Sequence, residues 1–282
     1  MRPIKARIVY NRRVSEGHYI LRLEAPAIAR ASKPGQFIQL QIEDSDPLLP
    51  RPFSFLDTSA KHLDLLYKVV GRGTEILSHK PAGDALGILG PLGNGWQTGK
   101  AKEWLLVGGG VGIPPLFHLA KVAVGKSKAA SKNIRAYLGG RTQAFLHCEK
   151  EFRAMGVTTL SATEDGSKGH KGFVTQILEK DLMKLGNSAK TTQIFTCGPT
   201  PMLKAVSALA KKYGVACQIS VEEPMACGFG VCLGCAVKVT TSLRGAQRAP
   251  KQSHDTCPTG EFRYAMACTE GPVFDAEKIL WQ

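Results

Sequence analysis

The chain has 282 residues, longer than one modest hydrophobic core needs and suited to two domains with an appendage. No apolar run approaches the roughly 18 residues of a membrane span, and the charged start "MRPIKARIVYNRR" lacks the apolar centre of a signal peptide, so a soluble cytoplasmic protein is expected. Lys and Arg number 37 against 23 Asp and Glu, for a formal charge of +14, but the excess is scattered and does not interleave with aromatics, which argues against nucleic acid and for anionic cofactors or an acidic partner subunit.

Residues 1–98 read as short strands parted by turn formers. The stretches "IKARIVY", "HYILRLEA", "GQFIQLQIE", "HLDLLYKVVG" and "DALGILG" alternate or are rich in β-formers, which predicts a small antiparallel barrel. Between two of these strands lies "RPFSF", residues 51–55, and "LYKVVGRGT", residues 66–74, ends in a glycine-flanked turn. The Arg51 guanidinium, the Ser54 hydroxyl and the amides around Gly73 and Thr74 suit an anion and flavin-edge site. Read alone, Arg51 serves equally as a surface ion pair, and Thr74 as the N-cap of a helix over "EILSHK".

Over residues 99–222 the period changes. Strands are predicted at "EWLLVGG", "IRAYLGG", "VTTLSAT", "QIFTCG" and "ACQISVE", and helices at "IPPLFHLAKVAV", "QAFLHCEKEFRAM", "KGFVTQILEKDLMKL" and "TPMLKAVSALAKKYG". Such alternation implies a parallel sheet with right-handed crossovers, a nucleotide-binding architecture. Gly108, Gly109, Gly110 and Gly112 fall between the first strand and its helix, where backbone amides can meet a pyrophosphate, although the spacing is not the strict G-x-G-x-x-G. Cys197, Gly198 and Pro199 follow a later strand in the same way, which puts them at the sheet's carboxyl edge. A tight structural turn and a packed thiol are the alternatives.

Residues 223–282 turn to cysteine and glycine. Cys227, Cys232 and Cys235 stand in "CGFGVCLGC" as C-x4-C-x2-C, the plant-type spacing for a 2Fe-2S cluster, which takes a distant fourth cysteine. Gly228, Gly230 and Gly234 are expected to supply the positive φ angles and close approach of a loop wrapped with its amides inward. A zinc knuckle or inert thiols are the alternatives. The fourth ligand is Cys257 or Cys268; the apolar surroundings of "AMACTEGPVF" favour Cys268. Cys148 and Cys217 read as core thiols. His62, His79, His170 and His254 lack partners at ligand spacing and read as solvated or packed. The segment of about 60 residues is too small and loop-rich to fold without a staple.

With "RPFS", "YKVVGRGT", "LGPLGNG", "GGGVGIPPL", "CGPTPML", "CGFGVCLGC" and "CTEGPVF" in this order, the chain resembles the electron-transfer subunits of the class B dihydroorotate dehydrogenases, in the ferredoxin-reductase superfamily. The resemblance implies FAD on the barrel at Arg51, Pro52, Phe53 and Ser54, at Leu66, Tyr67 and Lys68, and at Gly73 and Thr74. It implies NAD(H) on the second domain and a 2Fe-2S cluster on Cys227, Cys232, Cys235 and Cys268. It also implies an FMN-containing catalytic partner that oxidises dihydroorotate in pyrimidine biosynthesis, in a heterotetramer of two subunits of each kind. No general base is expected in this chain. The segment from Cys235 to Cys268 is longer than the family leads one to expect and holds the extra Cys257. A subunit of a sulfide dehydrogenase or of a ferredoxin:NADP oxidoreductase complex would share the same modules, and Arg141 leaves the choice between NADH and NADPH open.

Overall fold

The computed structural model describes residues 3–43, 46–241 and 262–281; Cys257 and His254 lie outside them. The first part runs β1 Ile4–Ser15, β2 His18–Glu24, α1 Pro26–Ala31, β3 Phe37–Gln41, β4 Arg51–Ser54, β5 Asp57–Thr58, β6 His62–Lys68, α2 Arg72–His79 and β7 Ala85–Leu92. Its strands pair antiparallel in the order β4-β3-β7-β1-β2-β6-β5. The sheet curls until β4 meets β6, where Phe53 lies edge-on to Tyr67 at 5.9 Å, and this makes the barrel. The side-chain period of two sorts β6: Leu63, Leu65 and Tyr67 enter the barrel core, while Leu66 packs into the core of the next part.

The stretch "RPFS" is itself a strand rather than a link between strands, paired with β3 from Leu40↔Arg51 to Phe37↔Ser54. A four-residue strand carries no readable alternation, and its proline reads as a break. β4 is the end strand of the sheet order, the place where a strand tolerates proline.

The second part follows with β8 Glu103–Gly109, α3 Ile113–Lys126, β9 Ile134–Gly140, α4 Glu149–Ala154, β10 Thr158–Thr163, β11 His170–Lys171, α5 Val174–Leu182, β12 Thr192–Cys197, α6 Thr200–Tyr213 and β13 Ala216–Ser220. Each predicted strand and helix of this part forms, α4 being shorter than expected. The sheet order β11-β10-β9-β8-β12-β13 is parallel throughout. Both faces are covered: Leu105 and Val107 pack with Leu178 and Val206 on one side, and Leu106 packs with Leu116 and Phe152 on the other.

The remaining elements are β14 Ala236–Thr240, β15 Phe262–Met266 and β16 Val273–Asp275. The first two form an antiparallel ladder, and β16 joins the second part's sheet antiparallel to β13. Val237, Val239, Ala265 and Phe274 share one buried cluster with Ile194 and Ile219. The loop-rich segment thus borrows a core from its neighbour.

Candidate functional site

Three sites line up on this frame. The first lies where the strand order of the parallel sheet reverses, between β8 and β12, the place at which open α/β sheets bind ligands. The glycine loop after β8 and the turn after β12, unconnected in sequence, touch here. A β-carbon on Gly112 would stand 2.5 Å from the Cys197 carbonyl carbon, one on Gly109 would stand 3.2 Å from the Pro199 ring, and one on Gly198 would stand 3.1 Å from the Gly109 backbone. Thr196 locks the two strands by donating its hydroxyl to the Val107 carbonyl at 2.9 Å. The N-terminal ends of α3 and α6, each of 14 residues, open at this crevice and turn their positive dipole ends toward a pyrophosphate, although Pro114, Pro115 and Pro201 remove first-turn amides and leave the donors to the glycine loop.

Cys197 is buried against this crevice, and burial, with the Glu222 carboxylate next in effect, drives its thiol far up the scale. It is a neutral thiol facing Ser220. Glu222, which sequence reasoning passed over, follows β13 at the same edge. Part of its surface meets solvent, yet protein crowding around the carboxyl raises it above the usual range. A carboxylate just after the last parallel strand was the available signal. Arg141, weighed for a 2′-phosphate, stands exposed after β9 and accepts from the Asp165 amide through its own carbonyl.

The second site is the seam of the barrel at β4, β6 and the start of α2. Arg51 donates to the Leu49 carbonyl at 2.7 Å and to the Pro50 carbonyl at 3.4 Å, and not to a carboxylate among the described residues. A β-carbon on Gly73 would come within 3.5 Å of its Nε, so Arg51 and the α2 amides adjoin. Thr74 is not the N-cap: α2 begins at Arg72, and the Thr74 hydroxyl accepts from the Val70 and Gly71 amides at 2.9 and 3.2 Å while donating to the Gly71 carbonyl. It ties the turn that aims those amides. Pro52, Phe53 and Ser54 are half-buried beside Arg51, and Leu66 is buried. Tyr67 is enclosed, stacks on Tyr19 at 5.5 Å and donates to Asn11 at 3.0 Å. Lys68 reaches out over the Phe145 ring at 5.6 Å.

The third site is the cysteine loop. Its sulfurs stand as two pairs, Cys227 within hydrogen-bonding reach of Cys232, and Cys235 of Cys268. The Phe229, Val231 and Cys232 amides donate to the Cys227 sulfur at 3.5, 3.4 and 3.5 Å. Burial alone would raise the Cys227 thiol, and these amides outweigh it and bring it to about 7. Cys235 falls to about 6, chiefly through its contact with Cys268, which is held far up by the same contact. Low-lying thiols are primed to become thiolate ligands. Among the described residues no three His, Cys, Asp or Glu side chains gather as a single-ion site. Two sulfur pairs with inward amides fit a two-iron group and not one tetrahedral zinc.

Gly228 and Gly230 do take positive φ, +82° and +88°, and a β-carbon on Gly228 would strike the Gln39 side chain of β3. Gly234 does not; the third left-handed residue is its neighbour Leu233, at +58°. Cys268 is buried, held in a turn that Asn94 grips by donating to the Thr269 and Glu270 carbonyls at 3.0 Å each. Cys217 is a buried thiol, whereas half-buried Cys148 sits in the left-handed position just before α4 rather than within it.

Two known protein families match stretches of this chain. The oxidoreductase NAD-binding domain matches residues 106–208, and the iron-sulfur cluster binding domain of dihydroorotate dehydrogenase B matches residues 222–249. The electron transfer subunit of dihydroorotate dehydrogenase B (NAD(+)) from Caldanaerobacter subterraneus subsp. tengcongensis is 38% identical over 99% of this chain and 98% of its own length. The protein of that name from a Geobacillus species is 34% identical over 99% of both. Among solved structures, an NADH-dependent reduced ferredoxin-NADP oxidoreductase superposes with a TM-score of 0.77 at 29% identity, over 98% of this chain and 90% of its own. A ferredoxin NADP+ reductase from Neisseria gonorrhoeae, at 14% identity and a TM-score of 0.65 over 76% of this chain and 92% of its own, shares the fold alone. The chain therefore belongs to the family of NAD-linked electron transfer subunits of dihydroorotate dehydrogenase B.

Proposed function

We propose that this chain carries electrons between the FMN of a dihydroorotate dehydrogenase catalytic subunit and NAD+, in the cytoplasm, as part of pyrimidine biosynthesis. An electron transfer subunit works beside a catalytic partner, and the assembly inferred is a heterotetramer with two of each subunit. The observation that carries the reading is the convergence on one chain of a nucleotide crevice, a phosphate-and-ring seam on the barrel and two inward-facing cysteine pairs. When bound, FAD exchanges a hydride with the nicotinamide and single electrons with the 2Fe-2S cluster, which accounts for three sites on one chain.

The residues divide the work. Cys227 and Cys232 would hold one iron, and Cys235 and Cys268 the other. Amides at positions 229, 231 and 232 would stabilise negative charge on sulfur. Arg51 and the α2 amides around Gly73 and Thr74 would hold the FAD pyrophosphate, with Pro52, Phe53, Ser54, Leu66, Tyr67 and Lys68 forming the surrounding wall. Gly108, Gly109 and Gly112 let the two turns and α3 close tightly on one another, Gly110 leaves open space beside them, and their backbones would meet the NAD pyrophosphate, while Cys197, Gly198 and Pro199 would border the nicotinamide end. The three folding units are taken as residues 1–98, 99–222 and 223–282.

The reading is tested by anaerobic titration of the purified chain with NADH, with iron and acid-labile sulfide assayed on the same sample, followed by mixing with the FMN catalytic subunit and dihydroorotate. Flavin and cluster absorbance should bleach together, and the mixture should make NADH. Bleaching with NADH but no turnover with that partner would sink the assignment to dihydroorotate oxidation. A colourless zinc protein would remove electron transfer altogether.

A further inference from the structure

Three of the seven histidines lie on the seam between the barrel and the α/β domain, and sequence reasoning gave them no role. His118, on α3, is 1% exposed; its Nε2 meets the Thr58 hydroxyl of β5 at 3.1 Å, and its ring stands edge-on to Phe55 at 6.3 Å. Its Nδ1 is buried with no hydrogen-bond partner. The neighbouring Lys121 and Asp57 form an ion pair across the same seam. At the other end His147, in the loop after β9, packs tilted at 47° against His18 of β2 with centroids 4.6 Å apart. Phe145 closes on His18 edge-on at 5.2 Å, and Lys68, the β6 residue paired with His18, lies over Phe145. His18 binds the Glu16 carbonyl through Nδ1 at 2.7 Å, while the Nε2 of His147 is buried and unpartnered.

Both contacts join one domain to the other, and neither sets an unpaired carboxylate beside a protonated ring. Facing His118 are Asp57, already neutralised by Lys121, and Lys121 itself; facing His18 is Lys68; facing His147 is His18. We infer that His118 and His147 are positioning residues for hydride passage: as neutral imidazoles they seat the α/β domain on the barrel, and protonation unseats it. The inference rests on the reading that the barrel carries the flavin and the α/β domain the nicotinamide.

Burial lowers both rings to about 4, against an ordinary value near 6.5 for an imidazole free in water. The opened seam therefore binds protons more tightly than the closed one. Closure is fully favoured above about pH 6.5 and is lost progressively as pH falls toward about 4. Because both hydride partners must be held at contact distance, a small rocking of the seam is enough to slow transfer.

The test is amide hydrogen exchange on the cofactor-loaded chain between pH 7.5 and 5, corrected for the intrinsic pH dependence of exchange. It is run on wild type and on the triple variant His18→Phe, His118→Gln, His147→Phe, which keeps the hydroxyl contact and a ring pair in the seam without a titrating group. In wild type, residues 55–58 and 143–148 should lose protection together below about pH 6.5, by about tenfold per pH unit for each histidine. The variant should stay level, and its single-turnover reduction of flavin by NADH should lose the acid limb seen in wild type. Level protection in wild type overturns the inference whether or not the variant folds, as does a transition that persists in the variant. A seam transition without any NADH chemistry would leave the latch standing and fail the electron-transfer reading instead.

Discussion

The backbone of Cys197 lies so close to Gly112 that a β-carbon at position 112 would stand 2.5 Å from both the carbonyl carbon and the oxygen. Two motifs separated by 84 residues are thereby pressed into one crevice. Gly112→Ala must push the turns apart at a cost of about 1–3 kcal/mol. The expected outcome is a chain that keeps flavin and cluster spectra but reduces flavin with NADH about 100-fold more slowly, read by stopped-flow absorbance.

Cys232 is the exposed member of its pair, so replacing its sulfur leaves the core intact. Cys232→Ser should abolish iron and acid-labile sulfide while leaving FAD content and reduction of flavin by NADH largely unchanged. Normal cluster content in that variant would refute the ligand assignment.

Arg51→Gln removes a charge from the seam where the α2 amides begin. A charge-assisted hydrogen bond is worth about 1.5–3 kcal/mol, so FAD retention should weaken roughly 10- to 100-fold. Gel filtration at falling protein concentration, with the flavin-to-protein ratio as readout, measures it.

Asn94 bridges the barrel's exit to the turn carrying Cys268, and Asn94→Leu deletes both carbonyl contacts. A loss of about 1–2 kcal/mol is expected for two partly exposed bonds. Warming should bleach the cluster at a lower temperature in this variant, with the flavin absorbance falling at the wild-type temperature.

Glu222 has its carboxyl raised by the protein crowded around it, so ionising it in the folded chain costs stability that the unfolded chain does not lose. Its contribution is greatest below the ordinary carboxylate range and is lost as pH climbs through the raised value. Glu222→Gln should therefore raise the Tm near pH 7.5 and leave it nearly unchanged near pH 4. Equal effects at both pH values would contradict the crowding argument.

Legibility followed the range of the interactions involved. The parallel strands and their helices were readable because each is a local pattern of apolar residues, repeated at a period that one face imposes. The strand "RPFS" was not, since a four-residue end strand with a proline has no period to read. Leu233 carries a left-handed φ that glycine was expected to supply, because a loop wound around inward amides sets its backbone by the whole wrap and not residue by residue. The histidine seam was invisible, because His18, His118 and His147 are far apart in the chain and none lies in a motif.

By itself the sequence determined the three-part order, the glycine turn and the cysteine spacing, all properties of contiguous residues whose chemistry is set by composition and local periodicity. Tertiary structure alone decided that Gly112 meets Cys197, that the cysteines stand as two pairs, that β16 completes the second part's sheet, that protein crowds the Glu222 carboxyl, and that the seam histidines are buried. Each of these depends on strand order and domain docking, which sum many weak long-range contacts that no window of the chain contains.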